Sequence, residues 1–388
     1  MAYEIYLKKN EEKRIIAGHS WVYANEVARI EGKDKNGSLA SVYSCDGKFI
    51  GKGYRNHASK ILVRIFIRGN ETDDKQFYLD KISAAWNYRK KLGYGNCCRV
   101  VFAEADGLPA LIVDKYGDYL SVQCLSLGID MRKNMITECL AEIFSPKGIY
   151  ERSDIALRKK EGLQEVKQCL YGEVPDLAEI EENGLKMLVD IKNGQKTGYF
   201  LDQKENRFAA RRYAAGGEVL DCFCNSGGFT INCATVAKKV TACDISRPAL
   251  DSVVANAELN GLKNIDTVCG DAFALLRDFR HEGKKFDLVI LDPPAFCKTA
   301  DEVKDACRGY KDINIQGMKL VKSGGFLITC SCSHYMTPTL FEKMLTEAAK
   351  ESGRTVRSVE IKTQAPDHPS LLCADETHYL KFYVLHII

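Results

Sequence analysis

The feature that most constrains the fold is a regular alternation of apolar strands and helices between about residue 184 and the C-terminus. The strands are predicted at 218–223, 239–245, 265–270, 286–291 and 325–330, and the helices at 229–237, 248–259, 272–279, 312–321 and 340–351. Continuous apolar strands joined by helices are typical of a parallel sheet covered on both faces. We therefore predict an α/β fold with a doubly wound sheet. The closing strands at 356–363 and 378–387 have no helix between them and predict an antiparallel edge.

Two smaller regions precede this alternation. Residues 1–70 contain short strands, predicted at 3–7, 38–43, 49–54 and 61–67, that are separated by turns such as Lys35-Asn-Gly37, which is a small all-β pattern. The next region mixes helices, predicted at 72–92 and 130–144, with short strands, predicted at 100–103, 110–114, 119–123 and 148–151. The acidic stretch 173–182 is predicted to be a connection. We therefore predict three domains: a small β domain at 1–70, a central α+β domain at 71–183 and the α/β domain at 184–388.

Charge is unevenly distributed along the chain, whose net charge is only +3. Residues 1–70 hold 13 Lys+Arg against 7 Asp+Glu, whereas the remainder holds 42 against 45. A basic module joined to a near-neutral body indicates an anionic partner such as nucleic acid. A solvated surface with a chance excess of basic residues explains the same balance equally well, so charge alone does not decide between them.

Composition excludes several classes of protein. Hydrophobic residues make up 45% of the chain and charged residues 28%, which is an ordinary globular balance. The N-terminal stretch is charged and lacks the apolar segment of a signal peptide, and no apolar run is long enough to span a bilayer. The 16 cysteines are scattered and form no C-x-x-C pair, which favours reduced thiols over disulfides or a zinc site. We predict a cytoplasmic protein with no metal; a homodimer stays open.

Four aspartates fall at the ends of successive predicted strands. Asp221 lies near the end of EVLDCF, which is followed by CNSGGFT, and Asp244, Asp271 and Asp292 lie at the ends of the next three strands. Open α/β sheets bind ligands at the carboxyl ends of their strands, so four acids in this register favour a ligand site over four unrelated helix caps. The chain lacks both G-x-G-x-x-G and G-x-x-x-x-G-K-[ST]. The pattern therefore disfavours a nicotinamide dinucleotide, while an acid after the second strand suits a ribose.

These residues resemble the class I S-adenosylmethionine-dependent methyltransferases. The Asp-x-x-x-Asn-x-Gly-Gly turn from Asp221 to Gly228, the acid at Asp244 and the D-P-P sequence at 292–294 carry the resemblance. Longer stretches are similar to bacterial methyltransferases that modify C5 of cytosine in large-subunit ribosomal RNA: NGQKTGYFLDQKENR, EADGLP, DPPAF, CRGYKDIN and SCS. The resemblance covers nearly the whole chain. It implies an N-terminal PUA domain, a central α+β domain and a C-terminal Rossmann-like methyltransferase domain.

The resemblance also implies S-adenosylmethionine as the cofactor and ribosomal RNA as the partner. Asp244 would bind the ribose hydroxyls and Asp271 the adenine end, while Asp221 would organise the turn. Asp292 would lie where cofactor and methyl acceptor meet. The remaining cofactor contacts are expected from the turn itself: Asn225, Gly227 and Gly228.

The segment GYFLDQ at 198–203 is expected to fold over the cofactor pocket. Asp202 and Arg207, within and just after this segment, are candidates for binding cofactor or phosphate. A local surface ion pair between them is an equally good interpretation of the sequence.

Two cysteines, Cys330 and Cys332, stand two residues apart in LITCSCSHYM. Cytosine C5 is a poor nucleophile, and a thiolate that adds to C6 converts C5 into an enamine-like carbon. Cys330 is expected to be buried in the fifth strand and inert, whereas Cys332 lies in the following loop and matches the family's nucleophile in SCS. Asp292 would hydrogen-bond N4 of the base and stabilise protonation at N3. Two structural thiols are the alternative interpretation.

One departure from the family pattern concerns the residue after the two prolines. Many RNA cytosine-5 enzymes have a second cysteine there, but this chain has Ala295, and the nearby thiol of Cys297 is displaced. The base that removes the C5 proton is therefore unassigned. A D-P-P sequence followed by an aromatic residue holds exocyclic amines in other methyltransferases, so an RNA N-methyltransferase is the main alternative. A non-catalytic RNA-binding assembly factor is the other.

Cationic and aromatic residues in two places are candidates for holding RNA. Arg14 lies near Trp21 in the N-terminal region, and Tyr310 and Lys311 lie in CRGYKDIN. Each has a structural alternative: Trp21 packs on a core, and Tyr310 and Lys311 position the following helix. His368, in APDHP, is either a structural hydrogen-bonding histidine or a proton carrier.

Overall fold

The computed structural model describes residues 3–33 and 35–388, which divide into two units. The first unit comprises Met1–Ile180, Val189–Leu201 and Pro366–Thr377, and the second comprises Glu181–Leu188, Asp202–Ala365 and His378–Ile388. The chain thus returns twice to the first unit after residue 183. The predicted methyltransferase domain at 184–388 differs from the second unit at these two segments, and the predicted small β and central domains fall together in the first unit.

The N-terminal part of the first unit is a mixed sheet. Its described elements are β1 (Glu4–Leu7), α1 (Glu12–Ile16), β2 (Trp21–Tyr23), β3 (Val27–Glu31), β4 (Leu39–Tyr43), β5 (Phe49–Arg55) and β6 (Ile61–Ile67). The strand order is β2-β6-β5-β4-β1-β3. Side chains alternate along β1, where Ile5 and Leu7 are fully buried, so one face of the strand packs on the core. The sequence predicted four of these strands and missed β2 and β3, which are short or rich in charged residues.

The rest of the first unit is built around a second sheet and two longer helices. The elements are α2 (Lys75–Lys91), β7 (Cys97–Phe102), β8 (Leu111–Tyr116), β9 (Tyr119–Cys124), α3 (Leu127–Met131), α4 (Lys133–Phe144), β10 (Gly148–Ser153) and β11 (Val166–Gly172). The strand order is β11-β10-β9-β8-β7. Helix α2 begins after Asp74, whose carboxylate accepts a hydrogen bond from the amide of Phe77 at 3.0 Å. The sequence pattern did not predict β11, a mostly exposed strand whose residues VKQCLYG do not alternate between apolar and polar.

Buried Arg89, near the end of α2, holds the segment 366–377 in the first unit. Its guanidinium pairs with the carboxylate of Asp106 and donates to the carbonyl of Asp367 at 2.7 Å. The carboxylate of Asp367 accepts the amide of Arg99 at 2.9 Å. A bidentate arginine that also satisfies a distant carbonyl explains why this late segment belongs to an early part of the chain.

A hairpin precedes the α/β region. Strands β12 (Ala178–Glu182) and β13 (Leu185–Val189) form a two-stranded sheet. Asn183 and Gly184 both have positive φ, at 56° and 75°, as a two-residue turn of this type requires. The acidic stretch that the sequence predicted as a connection is therefore partly a strand, because the Asn-Gly turn after it closes a hairpin.

The second unit contains a seven-stranded sheet in the described chain, flanked by helices. Its elements are α5 (Lys204–Ala214), β14 (Glu218–Cys222), α6 (Gly228–Ala234), β15 (Lys239–Asp244), α7 (Arg247–Leu259), β16 (Ile265–Cys269), α8 (Ala272–His281), β17 (Phe286–Leu291), α9 (Val303–Leu320), β18 (Val321–Ser331), α10 (Pro338–Ser352), β19 (Val356–Lys362) and β20 (Lys381–Ile387). The strand order is β16-β15-β14-β17-β18-β20-β19. The predicted α/β class is confirmed.

Strand direction follows the sequence prediction. Strands β14 to β18 are mutually parallel, and β20 runs antiparallel to both β18 and β19. The central strand β17 is buried on both faces, with 0% exposure from Leu288 to Leu291, as expected for a parallel strand between helical layers. The chain order reverses at β14, so the carboxyl ends of β14 to β18 lie along the edge where ligands bind in such sheets. Within the described residues, no helix is long and apolar enough to cross a membrane.

Candidate active site

The turn after β14 takes an unusual backbone path. Phe223, Asn225 and Gly227 all have positive φ, at 63°, 50° and 87°. The Asn225 side chain accepts the amide of Ser226 at 2.7 Å, and asparagine tolerates this conformation better than most residues. A Cβ on Gly227 would lie 3.1 Å from a methyl group of Val253, so a larger residue there would be crowded as well as strained. The turn leads directly into α6, which keeps its backbone at the sheet edge.

Asp244, at the end of β15, is tied to this turn. One carboxylate oxygen accepts the amide of Asn225 and the other accepts the amide of Ser246, both at 2.9 Å. The side chain is half-buried. A carboxylate has about four lone-pair directions, so an oriented carboxylate of this kind still has capacity to accept hydroxyl groups. The geometry fits the predicted ribose contact.

Asp221 is fully buried beneath the turn. Its Oδ2 accepts the hydroxyl of Thr230 at 2.6 Å, whereas its Oδ1 has no hydrogen-bond partner among the described residues. The pKa of Asp221 is raised to about 7: burial is the main cause, the bonds from Thr230 lower it, and the charges of Asp292 and Asp244 add to the rise. Three carboxylates that repel one another at the strand ends favour a cationic ligand, because a positive charge relieves that repulsion. S-adenosylmethionine, with its sulfonium and ammonium groups, fits this requirement.

Asp271 lies beyond β16 as the N-terminal cap of α8. Its Oδ1 accepts the amide of Ala274 at 3.0 Å, and the side chain is exposed. The helix-cap interpretation is therefore what the structure shows. Its contact with the adenine end of a cofactor stays a prediction.

Asp292, after β17, belongs to a cluster that the sequence analysis did not anticipate. The amide of buried Gln203 donates to Asp292 Oδ1 at 3.1 Å, and the Gln203 carbonyl oxygen accepts Asn206 Nδ2 at 2.7 Å. Burial, followed by the charge of Asp292, holds the pKa of the Cys330 thiol well above its usual value. The sequence places Gln203 only within the segment that is expected to cover the pocket, because a lone glutamine forms no recognisable catalytic motif.

Asp202 and Arg207 do not lie at the surface, where one interpretation of the sequence placed an ion pair between them. Both are buried, at 2% and 3% exposure. Arg207 forms a bidentate pair with Glu182, at 2.7 and 2.9 Å, and the hydroxyl of Tyr379 donates to Asp202 at 2.5 Å. The hairpin that carries Glu182 was not predicted, and the partner of Arg207 was therefore missed.

The two cysteines of the SCS region differ as predicted in their exposure. Cys330 is fully buried in β18, whereas Cys332 is half-buried in the loop that follows the strand. Strand β18 pairs in parallel with β17, with Thr329 opposite Leu291. Cys332 and Asp292 therefore follow the carboxyl ends of two neighbouring strands.

The serines on either side of Cys332 are held by Tyr310 of α9. The Tyr310 hydroxyl lies 3.0 Å from the hydroxyl of Ser331 and 3.0 Å from that of Ser333. The Ser333 hydroxyl also accepts the amide of Cys297 at 3.3 Å. Three elements, α9, β18 and the loop after Asp292, are thus joined around the backbone of Cys332.

The interpretation of Tyr310 as an RNA contact is corrected by this geometry. Tyr310 is 0% exposed, so its side chain has no surface to offer a substrate in this structure. Lys311 is partly exposed and pairs with Glu351 at 2.8 Å. Its contact with RNA stays a prediction.

The N-terminal candidates are also engaged within the protein. Arg14 pairs with Glu26 at 2.7 Å and donates to the carbonyl of Trp21 at 3.0 Å, while about a third of its side chain is exposed. The indole of Trp21 donates to Glu104 at 2.8 Å. These bonds support the structural alternative for Trp21, and a contact between Arg14 and RNA stays a prediction.

His368 lies in the first unit and is buried. Its Nδ1 is 2.7 Å from Asp367 Oδ1, and its ring centroid is 5.3 Å from that of Phe102. A buried histidine with a fixed carboxylate partner fits the structural interpretation of the sequence rather than the proton carrier.

Two family models match parts of the chain. Residues 5–68 match the model of a PUA-like domain, and residues 151–383 match the model of an S-adenosylmethionine-dependent methyltransferase. The chain is 42% identical to "Ribosomal RNA large subunit methyltransferase I" of Aeromonas hydrophila over 398 residues, which cover 99% of each chain. It is 41% identical to the protein of the same name from Vibrio cholerae over 397 residues, again 99% of each.

Solved structures share the fold over the full length. A putative S-adenosylmethionine-dependent methyltransferase from Streptococcus mutans superimposes with a TM-score of 0.84 at 20% identity, covering 100% of both chains. A putative methyltransferase complexed with SAH gives a TM-score of 0.86, also at 20% identity and full coverage. At this identity the likeness concerns the fold alone.

Proposed function

We propose that this chain, which belongs to the S-adenosylmethionine-dependent methyltransferase family and within it to the ribosomal RNA large subunit methyltransferase I proteins, methylates large-subunit ribosomal RNA. The observation that carries the proposal is the identity of about two residues in five with those proteins over 99% of both chains. The basic character of residues 1–70, which include the match to a PUA-like domain, supports an RNA partner. We further propose the three-domain division at 1–70, 71–183 and 184–388 that the sequence pattern predicts.

The proposed cofactor site lies at the carboxyl ends of β14 to β17. Asp244 would bind the ribose hydroxyls, and Asp271 would lie toward the adenine. Asp221 and Asp292 would face the positively charged end of the cofactor, and the backbone of the turn at 225–228 would line its methionine part. When bound, S-adenosylmethionine supplies an electrophilic methyl group. The protein's own task is to orient the acceptor base and to make its carbon nucleophilic.

The proposed target atom is C5 of a cytosine, with Cys332 as the nucleophile. The Cys332 thiolate would add to C6, which forms an S–C6 bond and leaves C5 as an enamine-like carbon that accepts the methyl group. A base would then remove the C5 proton, and the electron pair of that C–H bond would restore the C5–C6 double bond as the S–C6 bond breaks. The thiolate is regenerated. Partial exposure of Cys332 beside the end of β17 supports this role, and buried Cys330 lacks the access that it requires.

Asp292 would hold the cytosine during these steps. Its carboxylate can accept a hydrogen bond from N4 and stabilise a proton at N3, which makes C6 more electrophilic. Gln203, which donates to Asp292 Oδ1, would fix the orientation of that carboxylate. A fixed carboxylate binds the base at a lower cost in side-chain entropy.

The main rival is methylation of an exocyclic nitrogen. It is supported by the D-P-P sequence, although Ala295 directly follows the second proline and the aromatic residue, Phe296, comes one place later, with its ring 4.6 Å from that of Tyr310. In that case Asp292 would hold the amine, and no thiol would take part. A non-catalytic RNA-binding factor is less well supported, because the acids at the strand ends would then have no ligand to bind.

The product distinguishes these proposals. We expect purified protein, S-adenosylmethionine and unmodified large-subunit ribosomal RNA to give 5-methylcytidine when the RNA is digested and its nucleosides are analysed by mass spectrometry. Reactions without the protein and with small-subunit RNA are the matched controls. A methyl group on an exocyclic nitrogen would establish the rival, and no methylated nucleoside under conditions of cofactor binding would favour the non-catalytic factor.

A further inference from the structure

A buried lysine lies beside the loop that carries Cys332. Lys381 is the first residue of β20 and pairs in register with Ser331 of β18. Lys381 is 4% exposed, and its ammonium group donates to the carbonyl of Ser333 at 2.6 Å and to that of Tyr379 at 2.7 Å. The amine is thus bound to the residue that directly follows Cys332.

The lysine is unusual because its charge lacks an acidic partner. Across residues 3–33 and 35–388, no carboxylate forms an ion pair with Lys381, although most buried charges in proteins are paired. Two carbonyls satisfy two of the three N–H groups of an ammonium ion, but they carry no net charge. Burial accordingly lowers the pKa of Lys381 to about 8, while the charge of a thiolate at Cys332 acts to raise it. At neutral pH the amine is therefore mostly protonated.

Three other titratable groups beside the two thiols in the described part of the chain, Tyr310, Cys330 itself and Asp292, are not cations. Burial raises the pKa of the Tyr310 phenol to about 12, and Cys330 has a pKa well above its usual value, so both stay neutral near pH 7. Asp292, which follows the neighbouring strand β17, is acidic, and its charge raises the pKa of the Cys330 thiol. Lys381, at the start of β20, is thus the member of this group whose positive charge interacts with the Cys332 thiolate.

We infer that Lys381 is a positioning residue for Cys332: its ammonium group stabilises the thiolate and, through the Ser333 carbonyl, fixes the loop that presents it. The inference rests on the proposed role of Cys332 in the reaction. A buried ammonium next to a thiol favours the thiolate, which is the nucleophilic form, in the manner of other activated cysteines. The arrangement also accounts for the burial of a charge that otherwise costs stability.

The test measures the Cys332 thiolate without using methyl transfer. Full-length protein is treated with iodoacetamide between pH 6 and 10, and alkylation of the peptide containing Cys332 is followed by mass spectrometry. For Lys381→Met we expect alkylation at pH 7 to slow about tenfold and the pH midpoint to rise by about one unit, the loss of one favourable charge. Lys381→Arg keeps the charge and should stay near wild type. Exposed Cys45, read in the same digest, should be unaffected by either change.

The outcomes separate this inference from the proposed function. An unchanged pH midpoint in folded Lys381→Met overturns the role of Lys381, whatever the enzyme's activity. If that variant does not fold, Lys381→Gln serves in its place, and S-adenosylmethionine binding confirms that the second unit is intact. A shifted midpoint together with full methyl transfer by Cys332→Ala would uphold the effect of Lys381 on the thiol and reject Cys332 as the nucleophile.

Discussion

The carboxyl ends of β14 to β16 and those of β17 and β18 are built in different ways. On the first side, which we call the cofactor side, each acid accepts hydrogen bonds from donors that are close to it in the sequence. Asp244 accepts backbone amides 19 and 2 positions away. Asp221 accepts a hydroxyl 9 positions away, and Asp271 accepts a backbone amide 3 positions away. On the second, acceptor side, the key bonds join residues far apart in the chain. Gln203 and Asp292 are separated by 89 positions, and Lys381 and Ser333 by 48.

The difference explains which parts of the site a sequence can reveal. A motif in which all partners lie within one strand, turn and helix keeps its spacing in the sequence, so Asp221, Asn225 and Gly227 were found as a group. Gln203 and Lys381 reach their partners only through the fold, and neither a glutamine nor a lysine carries a spacing that predicts such contacts. The two sides should therefore also respond differently to substitution.

The largest effect on cofactor binding is expected from Asp244→Ala. Loss of a charge-assisted contact costs about 1.5–3 kcal/mol, which corresponds to roughly ten- to a hundredfold weaker binding of S-adenosylmethionine. Calorimetric titration of the folded variant measures it, with Cys332→Ala as the acceptor-side control, whose affinity should match wild type. Equal affinities of wild type and Asp244→Ala would show that Asp244, on the cofactor side, does not make the ribose contact.

A smaller effect on cofactor binding is expected from the titration of Asp221, which changes the affinity by about tenfold per pH unit at most. Its folded-state pKa of about 7 lies above the unfolded value, so the free protein holds an extra proton between about pH 4 and 7. The stability contributed by that proton is present at low pH and is lost as pH rises through 7. A cationic cofactor prefers the ionised carboxylate, so S-adenosylmethionine affinity should rise from pH 6 to 8.

Asp221→Asn removes the titration and should flatten this pH dependence of affinity, while Asp271→Asn, an exposed cap on the same side, should retain it. Calorimetric titrations at several pH values give both curves. An affinity in wild type that is constant from pH 6 to 8, or that falls, would contradict a role for Asp221 toward the positive end of the cofactor.

Much of the fold was predictable because its pattern is local. The parallel strands, their acids and the antiparallel closing edge follow from apolar runs and from the presence or absence of helices between them. Helix α9 was predicted only over 312–321, because Gly309 weakens the helical pattern before it. In the structure Gly309 lies against the ring of Phe296, where an added Cβ would be 3.3 Å from a ring carbon. The glycine that weakens the helical pattern thus also allows close packing of the helix on the D-P-P loop.

Other misses have the same long-range origin. One interpretation of the sequence pairs Arg207 with Asp202, whereas the structure pairs it with Glu182 on the hairpin; another offers Tyr310 to RNA, whereas its side chain lies in the core beside the Cys332 loop. The segments 189–201 and 366–377 follow the same rule, because contacts such as that of Arg89 with Asp367 assign them to the first unit. Local periodicity in the sequence specifies where helices and strands form, whereas burial and contacts with distant residues specify the unit to which each segment belongs.

The most direct test of the acceptor side is covalent trapping of the enzyme on RNA. Cytosines are replaced by 5-fluorocytosine, whose C5 fluorine cannot leave as a proton does, so the S–C6 bond persists after methyl transfer. With S-adenosylmethionine present, wild type and Cys330→Ala are expected to form a stable protein–RNA adduct, and peptide mapping should place it on Cys332. Cys332→Ala should form no adduct and transfer no methyl group while it still binds S-adenosylmethionine. An adduct on another residue, or full methyl transfer by Cys332→Ala, would contradict the account.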